Sequence, residues 1–92
     1  MATYDPNSFE IVQCSPNPFS NGVTIKFTIP QTGTVDFYIT DLFGREVYRE
    51  VISASAGINT LTYSAGDIAA GSYYFTIANN TNKITKMMIS VK

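Results

Sequence analysis

The sequence predicts an all-β sandwich of about seven short antiparallel strands, and three observations carry that reading. Short apolar or alternating runs recur roughly every 8 to 12 residues between turn residues, which is the sequence habit of two packed antiparallel sheets. Six Tyr and six Phe join many Val, Ile and Thr, the residue types that fit a pleated, half-buried surface. No run repeats its apolar residues at the helical period. At 92 residues, 45% hydrophobic and 14% charged, the chain is one domain's worth and too apolar for disorder.

The first strand is expected over residues 9–14 and ends at the corner Ser15-Pro16-Asn17-Pro18-Phe19. Each proline fixes φ near about −65° and pushes the residue before it towards an extended conformation, so the corner is stiff. The second strand covers 22–29, with Val23, Ile25, Phe27 and Ile29 on one face and Thr24, Lys26 and Thr28 on the other. Pro30 ends it. After a Thr32-Gly33 turn the third strand runs over 34–40, with Val35, Phe37 and Ile39 sharing a face. Asp41-Leu42-Phe43-Gly44 reverses the chain, and Gly44 is the residue able to take a left-handed backbone without a Cβ penalty.

The fourth strand, 45–52, carries Arg45, Glu46, Arg49 and Glu50 and is therefore expected at a sheet edge, where charges oppose pairing with other sheets. Ser53-Ala54-Ser55-Ala56-Gly57 is a small-residue crossover into the fifth strand, 58–64, where Leu61 and Tyr63 face together. Residues 65–70 connect to the sixth strand, 72–78, with Tyr73, Phe75 and Ile77 on one face. A tight hairpin at Asn79-Asn80-Thr81-Asn82 leads into the last strand, 83–91. Residues 1–8 read as linker ahead of a single domain over 9–92, in an immunoglobulin-like or fibronectin III-like arrangement.

Several function classes fall away on composition. A net charge of −1 and six scattered basic residues give no field to gather phosphates, so nucleic acid is not an expected partner. The chain has no histidine and a single cysteine, which removes the usual zinc and copper ligand sets and every Ser-His or Cys-His nucleophile. Cys14 has no internal disulfide partner and is expected as a small apolar side chain. Asp36, Asp41 and Asp67 fall singly, without the spacing of a calcium loop, and no carboxylate pair suits glycoside chemistry. No catalytic residue, metal ligand or cofactor is predicted. The amino terminus lacks the basic and apolar regions of a signal peptide, and no apolar run approaches the roughly 18 residues of a membrane span.

The aromatic residues divide by face. Tyr63 and Tyr73 are expected in the core with their hydroxyls at its rim, whereas Tyr38, Tyr48 and Tyr74 are expected on the polar faces of their strands, which leaves a partly exposed aromatic patch suited to sugar rings as a minority reading. Met87 and Met88 lie on opposite faces of the last strand and are both read as packing residues.

Five stretches in register give the chain its resemblance: Ser15-Pro16-Asn17-Pro18-Phe19, Asp41-Leu42-Phe43-Gly44-Arg45, Ala56-Gly57-Ile58-Asn59, Ile68-Ala69-Ala70-Gly71-Ser72-Tyr73 and Lys86-Met87-Met88-Ile89-Ser90-Val91-Lys92. Together they resemble the type A carboxy-terminal sorting domain of the type IX secretion system of Bacteroidota. The one departure is Ser15, where that family often has tyrosine.

The resemblance implies a non-catalytic address label on the carboxy terminus of a secreted cargo. Such a label passes through the periplasm, directs transfer across the outer membrane to the medium or cell surface, and is commonly removed by a sortase-like peptidase. Its implied partners are the outer-membrane secretion machinery, that peptidase and the covalently joined cargo, with the domain itself expected as a monomer. The recognition candidates carried over are Pro16, Asn17, Pro18, Phe19, Asp41, Gly44, Arg45, Gly57, Gly71, Tyr73, Lys86, Met87, Ile89, Val91 and Lys92. Residues 86–92 are expected as the principal read element, on a strand free at its outer edge, and residues 16–19 as a structural corner. The alternatives are an accessory sandwich for carbohydrate binding or adhesion, and the immunoglobulin-like domain of flagellar hook-capping proteins. The latter usually has a Trp-Asp-Gly turn where Tyr63-Ser64-Ala65-Gly66-Asp67 stands here.

Overall fold

The computed structural model of the protein describes residues 9–15, 22–64 and 68–91. Seven strands make up the described chain: β1 (Glu10–Ser15), β2 (Gly22–Ile29), β3 (Gly33–Thr40), β4 (Glu46–Ala54), β5 (Gly57–Ser64), β6 (Gly71–Ala78) and β7 (Lys83–Ser90). They form two antiparallel sheets, β1-β2-β5 and β4-β3-β6-β7. The β3–β4 and β6–β7 connections are hairpins within one sheet, whereas the chain changes sheet after β2, β4 and β5. This is the expected sandwich. The main departure in its elements is β4, which runs on to Ala54 and leaves only Ser55 and Ala56 as the crossover.

Alternation decides the core. Val23, Ile25, Phe27 and Ile29 of β2, Val35, Phe37 and Ile39 of β3, and Phe75 and Ile77 of β6 are all fully buried between the sheets. Leu61, Tyr63, Tyr73 and Met88 complete the layer, and Cys14 packs against it half-buried. Phe37 is central, with ring centroids 6.2 Å from both Phe75 and Tyr63 and 6.0 Å from Tyr48. Gly22 is required by close approach: a Cβ there would lie 2.8 Å from the Tyr63 carbonyl oxygen on the paired β5 strand.

Tyr48 corrects the expected division of the tyrosines. The pairing of β3 with β4 runs Ile39 to Tyr48 and then Thr40 to Glu46, so Val47 is an extra residue that turns Tyr48 onto the core face. Its ring meets Tyr63 of the other sheet at 4.8 Å. The Tyr48 hydroxyl donates to Glu50 Oε1 at 2.8 Å, an acceptor that raises the hydroxyl's pKa. β4 is indeed an edge strand, and Glu50 is an inward-side charge that discourages further pairing there.

Candidate functional site

One end of the sandwich carries the β3–β4 turn, the entry to β6 and the exit of β7. The turn is built by Asp41. Its Oδ1 accepts the backbone N–H groups of Phe43 and Arg45, both at 2.9 Å, and its Oδ2 accepts Arg45 Nε at 2.8 Å. Backbone bonds close the loop, from Gly44 N to Asp41 O and from Asp41 N to Arg45 O. Gly44 has φ +83°, the left-handed position expected of it. The hydrogen bonds from Arg45 and Phe43, led by the Arg45 N–H, hold the Asp41 carboxyl below its usual range. The tip residues are uncovered: Phe43 is 85% exposed and Leu42 59%. Arg45 lies over the Phe43 ring, 5.4 Å from its centroid.

At the start of β6, the Tyr73 hydroxyl donates to the Ala69 carbonyl at 2.7 Å. A tyrosine hydroxyl bonded back to the backbone a few residues upstream, at the start of this strand, is the tyrosine corner of immunoglobulin-like sandwiches. Gly71 opens the strand beside it. At the other end, Gly57 opens β5 and Asn59 staples the β4–β5 crossover, accepting from Ser55 N at 3.0 Å and donating to Ser55 O at 2.8 Å. Asp41, Gly44, Arg45, Gly57, Gly71 and Tyr73 are thus placed as turn and corner builders. Pro16, Asn17, Pro18, Phe19 and Lys92 lie outside the described residues.

Among the described strands β7 is the outermost of the four-stranded sheet. Its register sets Met88 opposite Tyr73 on the core face, and Met87 opposite Tyr74 and Ile89 opposite Ser72 on the outer face. Met88 is fully buried as expected, whereas Met87 is 47% exposed and so outside the core. Ile89 and Val91 are exposed as well. Lys86 stands opposite Phe75 on the core-facing side of the edge. There it lines an open cleft of about 220 Å³ against Ile11 to Cys14 of β1. Burial in that region pushes the Cys14 thiol up in pKa, away from the reactive thiolate. A second cleft, about 290 Å³ between the β2–β3 turn and the β6–β7 hairpin, is lined by Thr32, Thr34, Asn80 and their neighbours and holds no titratable group.

A three-tyrosine platform for sugar rings, the minority reading, does not assemble. Tyr48 faces the core, and Tyr38 on the outer face is covered by Arg49, whose guanidinium sits 4.5 Å from the ring centroid. Arg49 is itself held by Glu46 at 2.9 Å and Asp36 at 3.6 Å. Tyr63 also departs from expectation, since its hydroxyl is buried and not at a rim. Among the described residues no cluster of three metal-ligating side chains occurs.

Residues 14–92 match the family model described as a secretion system C-terminal sorting domain. The chain belongs to that family. The sorting domain therefore serves type IX secretion, in a family whose role is sorting and not catalysis, as part of a secreted or cell-surface protein. No match was found among the curated proteins. The exposure of the Leu42-Phe43 tip of the sorting domain is not marked by the turn motif. An Asp-x-x-Gly turn makes no demand on its two middle residues, so two large apolar side chains there were the available signal.

Proposed function

We propose that the sorting domain directs an upstream cargo from the periplasm across the outer membrane, with residues 86–92 as the principal element read by the machinery and residues 16–19 as a structural corner. Removal by a sortase-like peptidase, with the cargo then released or attached at the cell surface, completes the reading. The carrying observation is the family match over residues 14–92. The edge position of β7 and the outward, exposed Met87, Ile89 and Val91 support the choice of this strand, because alternate side chains on an edge strand suit pockets on a docking partner.

Deleting residues 86–92 would also remove the core residue Met88, so a cleaner test keeps the inward positions. A fluorescent reporter fused to the chain and carrying M87S/I89S/V91S should accumulate in the periplasm of a type IX-competent host. Surface or medium levels equal to those of the wild-type fusion would sink the assignment of β7 as the read element.

A further inference from the structure

The exposed apolar side chains of the described residues are unevenly distributed. Val12 and Ile58 are the only two on the three-stranded sheet; Leu42, Phe43, Val47, Val51, Met87, Ile89 and Val91 all belong to the four-stranded sheet, its turn or its tail. Exposed apolar groups concentrated in this way mark interaction surfaces. The register locates all seven of these but Val51 at one end, with Val47 in the bulge beside Thr40. β3 and β7 both run antiparallel to β6, so they are parallel to each other, and Thr40, Tyr74 and Met87 are level across the sheet. The Asp41–Arg45 turn follows directly after Thr40, and β7 continues past Met87 to Ile89 at the same end of the sheet. Two strand spacings of about 4.8 Å separate Thr40, at the foot of the turn, from Met87 by only about 10 Å.

The turn's construction adds the second argument. Asp41 and Gly44 make the reversal with any residues between them, so the fold does not require Leu42 or Phe43 to be apolar. Five bonds within the loop fix its backbone, so presenting the tip involves little ordering on binding. Of the Arg45 side chain Asp41 engages only Nε, the side chain remains 76% exposed, and this leaves the terminal nitrogens for a carbonyl or carboxylate at a pocket rim.

We propose that Leu42 and Phe43 form a preformed anchor that enters an apolar pocket, rimmed by Arg45-binding acceptors, on the same protein of the secretion machinery that reads β7. The inference rests on the proposed reading of residues 86–92 and extends it to a two-part surface at one end of the sandwich. A protein pocket is favoured over a lipid surface because the chain's net charge is −1 and Glu46 sits beside the tip's one arginine.

The test compares reporter fusions of the whole chain in a type IX-competent host: wild type, L42S/F43S, V51S and M87S/I89S/V91S. Export of L42S/F43S should fall about tenfold or more, the scale of losing an interface anchor, while its melting temperature stays at the wild-type value. Val51 is 64% exposed on the same sheet, so V51S controls for loss of exposed apolar surface and should be exported normally. Wild-type export of L42S/F43S, or an equal defect in V51S, would overturn the anchor. Normal export of the M87S/I89S/V91S fusion would instead overturn the β7 reading, and the two failures are distinguishable. Binding of the wild-type chain, but not L42S/F43S, to vesicles of phosphatidylcholine and phosphatidylglycerol would overturn the protein pocket in favour of a membrane.

Discussion

Asp41 shows how one side chain can set a local structure that the sequence only outlines. Its carboxylate accepts two backbone N–H groups and the Arg45 side chain, so the folded state favours the ionised form and the pKa is lowered. A lowered folded pKa means that the stabilisation is fully present above the ordinary aspartate range near about 3.9 and is lost as pH falls through the folded value. Melting curves of wild type and Asp41→Asn should therefore differ by a constant amount near neutrality and converge below about pH 4. A gap that persists to lower pH would show that the carboxylate charge is not the origin of the effect. The Asp-x-x-Gly pattern made the turn legible beforehand, because its requirements are local; the exposure of Phe43 was not, because it depends on what fails to pack over the tip.

The strands differ in how much of their arrangement could be read in advance. β3 alternates strictly and β2 does so as far as Phe27, after which Thr28, expected on the outward face, is buried as well; the inward apolar sets of both strands are the ones the sequence marks. β4 does not: Val47 and Val51 are exposed while Tyr48 and Ile52 are half-buried, and nothing in the residue types separates these pairs. The bulge at Val47 makes that choice. β7 carries a further detail invisible in sequence, since Ser90 faces inward with its hydroxyl buried and without a hydrogen-bond partner among the described residues. An unsatisfied buried hydroxyl opposes folding, so Ser90→Ala should be neutral or more stable by about 1 kcal/mol in denaturant unfolding. A clear loss of stability would show that the hydroxyl has a partner.

At the scale of the molecule, two sheets close over one aromatic-centred core, and Phe37 touches rings from both. Phe37→Ala should cost about 3–5 kcal/mol, a large share of the roughly 5–15 kcal/mol that holds a domain together, with the urea midpoint lowered and the slope unchanged. A loss below about 1 kcal/mol would mean that the core repacks around the gap. Of the described residues that carried the family resemblance, Asp41, Gly44, Arg45, Gly57, Gly71 and Tyr73 hold turns and corners, while exposed apolar side chains stand at the tip and on β7. By itself the sequence determined the class, the seven strands and the inward sets of β2, β3 and β6, because period-two alternation and turn residues act over a few neighbouring positions. Only the tertiary structure decided that Tyr48 faces the core and Met87 does not, and that Thr40, at the foot of the Leu42-Phe43 turn, stands level with Met87. Those outcomes depend on strand order and register, which are fixed by pairings between distant parts of the chain and not by any local pattern.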